Sequence, residues 1–198
     1  KKKKKSFSFS KVLFFKRLNS FNFFIFFKSN KIFFNFFFFT KWIFAKAEEV
    51  FKDQGYDPNS EPVCDNMWAN INKKYSHNRN HTHPGALWSG VYYIQCPKES
   101  GRIWFTDPRG EAHMILPRYR ERPPFTWREV YYEPIPGRLL IFPAWLVHEV
   151  EPNLNKEFEN DDNRGWRYSI SFNLNQGLRK GAKYDNERKG HSSVFFFF

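Results

Sequence analysis

The feature that most constrains the fold is a series of short apolar runs between turn residues, which begins near Trp68. Six of these runs are rich in aromatic, β-branched and small residues: residues 88–96, 102–106, 127–132, 139–142, 147–150 and 168–174. Short strands between Pro and Gly turns are typical of a sandwich or barrel. We predict a mainly all-β fold, a double-stranded β-helix (jelly roll, cupin-like), with a minor helix at residues 45–52.

The first 46 residues differ in composition from the rest of the chain. They carry twelve Lys or Arg and no acid, whereas residues 47–198 carry twenty basic and twenty acidic residues. The formal net charge of +12 therefore belongs to this segment and indicates little about what the rest binds. We expect residues 1–46 to be a low-complexity Lys/Phe-rich tail outside the fold, residues 47–194 to form one domain, and residues 195–198 to be a Phe tail.

The origin and location of the tail leave alternatives open. Its Lys, Phe, Asn and Ile have A/T-rich codons, so both translated noncoding sequence and a weak membrane anchor are possible interpretations. The anchor fits poorly, because Lys28, Lys31 and Lys41 interrupt the apolar runs and a spanning helix needs about 20 mostly apolar residues. Cys64 and Cys96 show neither a disulfide framework nor CxxC spacing, which favours a reducing, cytoplasmic location. The neutral balance of residues 47–198 argues against nucleic acid as a partner.

Three histidines form a candidate metal site. His81 and His83 stand at positions i and i+2, so on a strand they point to the same face, and His148 follows a later apolar run. Imidazole suits Zn, Cu, Fe and Ni, and a three-ligand face with open positions suits a redox iron. Chance spacing with ordinary hydrogen-bonded histidines is the simpler explanation of His-x-His alone.

Arg167 and Ser169 form a candidate carboxylate site. The Arg fork binds a carboxylate through two hydrogen bonds, and a Ser two residues further along a strand adds a hydroxyl on the same face. Tyr93 is a candidate third donor. An internal salt bridge to Asp or Glu would satisfy a buried Arg equally well, and a core aromatic residue would explain Tyr93.

Taken together, these motifs resemble the 2-oxoglutarate/Fe(II) dioxygenase superfamily. The resemblance is closest to oxygenases found in phage and marine bacteria, with prolyl-hydroxylase-like relatives, and it covers about half of the chain. Six segments carry it: residues 80–84 (NHTHP), 89–93 (SGVYY), 101–109 (GRIWFTDPR), 136–143 (PGRLLIFP), 148–152 (HEVEP) and 167–173 (RYSISFN).

The resemblance implies Fe(II), 2-oxoglutarate and O2 as cofactors. By that similarity His81 takes the place of the first iron ligand and His148 the last, while Arg167, with Ser169 and Tyr93, would hold 2-oxoglutarate. The implied reaction hydroxylates an unidentified small-molecule or peptide substrate and releases succinate and CO2.

The chain departs from the superfamily at the second ligand. The usual residue there is a carboxylate at i+2, but this chain has His83. Three explanations stay open: His83 is the ligand, Asp107 supplies the carboxylate, or the site is altered. The alternative function is a cupin-like metal-binding protein without oxygenase activity, which would have no need for a carboxylate site at Arg167 and Ser169.

Overall fold

The structure is a computed structural model, and it describes residues 13–15, 31–115, 117–123, 126–158 and 162–183. Within these ranges the chain forms one α-helix, α1 (Lys31–Asp53), and nine strands: β1 (Leu13–Phe15), β2 (Ser60–Asn72), β3 (Asn78–His81), β4 (Trp88–Gln95), β5 (Ile103–Thr106), β6 (Glu129–Tyr132), β7 (Leu139–Pro143), β8 (His148–Val150) and β9 (Arg167–Leu178). Short 3-10 turns lie at Gly110–His113 and Asn163–Gly165.

The strands form two antiparallel sheets. The five-stranded sheet has the order β1-β7-β4-β9-β2, and the four-stranded sheet has the order β3-β8-β5-β6. From β2 to β9, successive strands change sheet at every connection except the one between β5 and β6. This alternation is the double-stranded β-helix, or jelly roll. The predicted mainly all-β fold with a minor helix is therefore confirmed.

The core has two layers, one on each face of the five-stranded sheet. Strand β7 supplies both, because alternate residues of a strand face opposite ways. Leu139 and Ile141 join the cluster beneath helix α1, whereas Leu140 and Phe142 join the cluster between the two sheets. A strand buried on both faces has no polar positions to alternate with, and this explains the continuous apolar run predicted at residues 139–142.

Helix α1 differs from the sequence-based expectation in length. It begins at Lys31 rather than at residue 45, and so it crosses the expected boundary at residue 46. Phe39 and Ile43, which lie on the tail side of that boundary, are buried in the same cluster as Val50. The sequence analysis missed most of this helix because it is rich in Phe. Apolar residues on every side of a helix leave no alternation of apolar and polar residues at the helical period. That residues 47–194 form one domain stays a prediction, and helix α1, which packs against the larger sheet, extends across the predicted start of that domain.

Other parts of the expected tails lie mainly outside the described residues. Only Leu13–Phe15 is described in the first 30 residues, and it pairs with Leu139–Ile141 at the edge of the larger sheet. The lysine run at the start and the predicted Phe tail at 195–198 are not among the described residues. No helix in the described part of the chain is long and apolar enough to cross a membrane.

Candidate active site

The three predicted histidines meet at one end of the barrel. His81 ends β3 and His148 begins β8, and the two are register partners across the smaller sheet. The turn after β3 carries His83 to the same place, where its backbone N–H donates to the carbonyl of Ala144 at 2.9 Å. One ring nitrogen from each histidine lies within 4.8 Å of the others.

Backbone carbonyls orient two of the three imidazoles. Nδ1 of His81 lies 2.7 Å from the carbonyl oxygen of Arg79, and Nδ1 of His148 lies 2.8 Å from that of Leu146. Because a carbonyl oxygen only accepts, each Nδ1 must donate, and each Nε2 keeps its lone pair. The tautomers are therefore those that a metal site requires.

Burial favours the neutral, metal-binding form of two of the three histidines, His83 and His148. Burial lowers the pKa of His148 to about 4, and neighbouring His81 and His83 add to this effect. Burial, with a smaller contribution from His81, also lowers the pKa of His83. Neutral imidazoles can approach one another closely without charge repulsion, and they do not need to lose a proton before binding an ion.

The spacing of the nitrogens fits a single ion. Nε2 of His83 lies 3.3 Å from Nε2 of His148. Two nitrogens that are each about 2.1 Å from one metal ion lie roughly 3.0–3.4 Å apart at angles between square and tetrahedral. In one tautomer of His83, its Nε2–H donates to the lone pair of His148 Nε2; in the other tautomer, a cation between the two nitrogens is the partner that would satisfy both.

Asp107 lies outside this group. Arg109 donates to its carboxylate through Nε at 3.0 Å and through Nη2 at 2.7 Å, and Nε2 of His113 lies 3.2 Å away. These hydrogen bonds, led by those from Arg109, lower the pKa of Asp107 to about 2. The metal-ligand group found among the described residues contains His83 and not Asp107. The geometry thus supports His83 as the proposed second ligand.

The three predicted carboxylate-binding residues share the inner face of the larger sheet. Tyr93 on β4 is the register partner of Ser169 on β9, and Arg167 precedes Ser169 by two positions. Residues at i and i+2 of a strand face the same way, so the guanidinium and the two hydroxyls converge. Neither hydroxyl has a hydrogen-bond partner among the residues that the structure describes. The two hydroxyls are therefore free to bind a ligand.

Arg167 is a buried cation with an unused donor. The residue is 1% exposed, and its Nη1 donates to the carbonyls of Ser100 and Gly101. Its Nη2 is also buried, but it has no hydrogen-bond partner within the described part of the chain. Burial lowers the pKa of Arg167, because the charged form loses solvation. A buried cation without a counter-charge is costly, so this position favours an anionic ligand.

One cavity connects the two sets of residues. It encloses about 530 Å³ of empty space including its open mouth, and its lining contains the three histidines, Arg167, Ser169 and Tyr93. None of the described residues that line it is acidic. The internal salt bridge that would have explained Arg167 is therefore not formed with a residue of this lining. A ligand that chelates a metal through one end and carries a carboxylate at the other fits this arrangement.

The sequence analysis did not identify several residues that line the cavity. Strand β2 contributes Trp68, Asn70 and Asn72 to the cavity, and Nδ2 of Asn70 donates to the hydroxyl of Ser171 at 2.9 Å. Their i, i+2 spacing was the only available signal. Trp104 on β5 donates to Glu151 at 2.7 Å and is not among the residues that line the cavity.

Comparisons with known proteins bear on the family of the chain. A family model described as "Putative 2OG-Fe(II) oxygenase" matches residues 66–173, which are 108 of the 198 residues. No curated protein matches the chain.

Solved structures similar to this one include an oxidoreductase of the 2OG-Fe(II) oxygenase family from Burkholderia pseudomallei, with 17% identity and a TM-score of 0.44 over 67% of this chain and 52% of that one. A prolyl-4-hydroxylase from Pseudomonas putida matches with 17% identity and a TM-score of 0.36, over 54% of this chain and 50% of that one. The chain thus spans about half the length of these structures. Because the family model matches more than half of the chain, this protein belongs to the 2OG-Fe(II) oxygenase family.

Proposed function

We propose that this protein is a 2-oxoglutarate-dependent Fe(II) dioxygenase that hydroxylates a small-molecule or peptide substrate. The observation that carries the proposal is the unpaired Nη2 of buried Arg167 in the same cavity as three clustered histidines. One set of residues is suited to a metal ion and the other to a carboxylate. The cofactors of this family are Fe(II), 2-oxoglutarate and O2, and 2-oxoglutarate carries both a metal-chelating end and a distal carboxylate.

The histidines would hold the iron through their Nε2 atoms. Hydrogen bonds from Nδ1 to backbone carbonyls keep the rings of His81 and His148 in the required orientation. With His83 in place of a carboxylate, the ligand set carries one negative charge less than the usual one. Three protein ligands leave coordination positions open for the cosubstrate and oxygen.

Arg167, Ser169 and Tyr93 would hold the distal carboxylate of 2-oxoglutarate. Nη2 of Arg167 supplies a charge-assisted hydrogen bond, and the hydroxyls of Ser169 and Tyr93 supply neutral ones. Burial raises the pKa of Tyr93, so its phenol stays protonated and remains a donor. The binding energy from these contacts orients the other end of the cosubstrate toward the histidines.

The bound iron and its cosubstrate supply the oxidising chemistry, in which 2-oxoglutarate, O2 and a C–H group give succinate, CO2 and a C–OH group. The protein supplies orientation. Val91, Phe142 and Val150 contribute apolar side chains to a cavity lining that is otherwise mostly polar, and Phe142 is only 2% exposed.

A cupin-like metal-binding protein without oxygenase activity is the second candidate. The three-histidine set, which lacks a carboxylate, is the observation that favours it. The buried Arg167 with no acidic neighbour in the cavity favours the oxygenase, because a protein that binds only a metal gains nothing from this costly cation. We also propose a cytoplasmic location, which the free thiols of Cys64 and Cys96 support.

The test is an anaerobic titration of the full chain with Fe(II) and then with 2-oxoglutarate, followed by exposure to oxygen and a succinate assay. We expect one Fe(II) per chain, 2-oxoglutarate binding that depends on the metal, and release of succinate. Zn(II) in place of Fe(II) is the control, since it should support cosubstrate binding without turnover. A folded protein that binds Fe(II) but neither binds 2-oxoglutarate nor forms succinate would favour the cupin-like alternative.

A further inference from the structure

The guanidinium of Arg167 is held by the backbone of a turn at Ser100 and Gly101, a contact that the sequence analysis did not predict. Its Nη1 donates to two successive carbonyls, those of Ser100 and Gly101, with the Gly101 contact at 3.0 Å. We call these two carbonyls the carbonyl clamp. Because both occupy the same terminal nitrogen, the other terminal nitrogen, Nη2, remains without a partner in the described part of the chain.

Two residues of this turn have a positive φ, and this backbone conformation directs the two carbonyls toward Arg167. Glu99 has a φ of 57° and Gly101 a φ of 90°, both in the left-handed region. A non-glycine residue in this region costs free energy and is kept only where the surroundings impose it. Here they do so, because Leu154 donates its backbone N–H to Glu99 at 2.9 Å and Asn155 donates its side-chain amide to Lys98 at 2.8 Å.

Gly101 has a second reason to be glycine. A Cβ atom at this position would overlap the carbonyl oxygen of Glu151 and would lie 2.9 Å from Nη1 of Arg167. The neighbour on one side is therefore the backbone just after β8 and on the other the guanidinium itself. Any side chain at residue 101 would have to move the turn, the facing backbone or Arg167.

We propose that the carbonyl clamp positions Arg167 for the distal carboxylate of 2-oxoglutarate and thereby sets the length of the 2-oxo acid that binds. The inference rests on the proposed function. An arginine side chain that was free to move could follow carboxylates at several depths. With Nη1 fixed to the backbone, Nη2 has one position, and only a cosubstrate of matching length reaches both Nη2 and the metal.

The first experiment compares three variants of the full chain. Gly101→Ala disturbs the clamp. Gly181→Ala is the matched control, because Gly181 has a similar φ of 83° but no described atom lies within 4 Å of the place that its new methyl group would take. Ser100→Ala removes a hydroxyl and keeps the carbonyl that binds Nη1. Each variant is titrated anaerobically with Fe(II), then with 2-oxoglutarate, 2-oxoadipate or oxalate. Oxalate chelates a metal but has no distal chain.

We expect Gly101→Ala to lower the affinity for 2-oxoglutarate by about tenfold or more, as loss of a well-placed charged hydrogen bond would do. Its affinities for Fe(II) and oxalate should stay at the wild-type values. The ratio of its affinity for 2-oxoglutarate to its affinity for 2-oxoadipate should be smaller than in the wild type. Gly181→Ala and Ser100→Ala should match the wild type in every titration. The unchanged oxalate affinity separates positioning of Arg167 from general damage to the site.

Several outcomes would overturn the inference. Wild-type affinity of Gly101→Ala for 2-oxoglutarate would show that the clamp does not position Arg167. Equal losses for oxalate and 2-oxoglutarate would indicate general damage, and an equal loss in Ser100→Ala would assign the effect to the hydroxyl. If the wild type binds Fe(II) and oxalate but no 2-oxoglutarate, the proposed function fails as well, whereas a failure confined to Gly101→Ala leaves it intact.

A measurement on the wild type covers the case in which Gly101→Ala does not fold. Selective ¹⁵N labelling of arginine allows the two terminal nitrogens of the buried guanidinium to be followed by NMR. We expect distinct signals for Nη1 and Nη2, and a larger change for Nη2 when 2-oxoglutarate is added to protein loaded with diamagnetic Zn(II). A single averaged signal, or equal changes in both, would contradict the clamp.

Discussion

The two ends of the cavity are built from contacts of very different range. At the metal end, His81 and His148 are oriented by carbonyls only two residues away, those of Arg79 and Leu146. At the carboxylate end, Arg167 is oriented by carbonyls 67 and 66 residues away. The rings of His81 and His148 can therefore be oriented by their own strands, although bringing His83 to His148 joins residues 65 positions apart. The orientation of Arg167, in contrast, depends on distant parts of the chain.

The two ends also differ in charge. Burial lowers the pKa values of His148 and His83, so these two imidazoles at the metal end favour the neutral form that can bind a cation. Arg167 remains a cation in a cavity whose described lining contains no acid, so the other end attracts an anion. This difference means that substitutions should separate metal binding from cosubstrate binding.

The largest expected effect is at the metal end. His148→Ala removes a buried ligand, and we expect the Fe(II) affinity to fall by at least about 100-fold, since losses at supporting residues alone reach 10- to 100-fold. Isothermal titration under anaerobic conditions measures this, with circular dichroism to establish folding. His77→Ala removes an exposed imidazole outside the metal-ligand group and is the control. If folded His148→Ala bound Fe(II) with the wild-type affinity, His148 would not be a metal ligand and the proposed metal end would be wrong.

The matching substitution at the carboxylate end is Arg167→Ala. We expect the affinity for 2-oxoglutarate to fall by about 10- to 100-fold, the range for charged hydrogen bonds, while Fe(II) affinity is unchanged. Arg167→Lys keeps the charge but not the fork, so its loss should be smaller. Arg164→Ala, at an exposed arginine, is the control for charge alone. A parallel loss of Fe(II) binding would show that the two ends are not separable.

The identity of the second ligand gives a smaller, but more discriminating, prediction. His83→Ala should lower Fe(II) affinity by about 10- to 100-fold, whereas Asp107→Asn should change it by less than about threefold. The reason is that Asp107 is already bound by Arg109 and His113, outside the histidine group. His83→Asp should keep Fe(II) binding, because it restores the usual carboxylate. The reverse pattern, with Asp107→Asn losing the metal, would make Asp107 the ligand.

The smallest expected effect lies on the outer side of the barrel, at Glu151. Hydrogen bonds from Arg102 lower the pKa of this carboxyl from its ordinary value of 4.5 to about 2. A lowered folded-state pKa means that the stabilisation is present above about pH 4.5 and is lost as the pH falls toward 2.

Glu151→Gln should therefore lower the Tm at pH 6, and the difference from the wild type should shrink as the pH is lowered through this window. Thermal unfolding followed by circular dichroism measures it, and other titrating groups cancel in the difference. Fe(II) and 2-oxoglutarate affinities should not change. A Tm difference that is independent of pH would mean that the ionised carboxylate does not contribute.

Five of the six predicted runs match a strand to within two residues at each end, whereas β9 continues four residues beyond its predicted end and β3 was not predicted. The run predicted at 88–96 is β4 (Trp88–Gln95), and that predicted at 139–142 is β7 (Leu139–Pro143). Strand β2 was recognised only from Trp68 onward, although it begins at Ser60. Its inner face carries Trp68, Asn70 and Asn72 toward the cavity, so polar residues occupy positions that the usual pattern reserves for the core.

By itself, the sequence determined which side chains share a face. Arg167 and Ser169 are separated by two positions on β9, and the strand period alone places them together. His81 and His83 have the same spacing, but β3 ends at His81, so the turn that follows it places His83. Turn residues determined where most strands end. These features depend on neighbours along the chain, and local stereochemistry specifies them.

Only the tertiary structure decided how the site is completed. It placed the carbonyls of Ser100 and Gly101 on Arg167, occupied Asp107 with Arg109 and His113, and buried part of the Phe-rich segment beneath the sheet. Each of these outcomes depends on which packed surfaces meet and on the direction of a backbone carbonyl or carboxylate in a turn. Residue identity at one position does not specify a partner 66 residues away; the packing of the two sheets does.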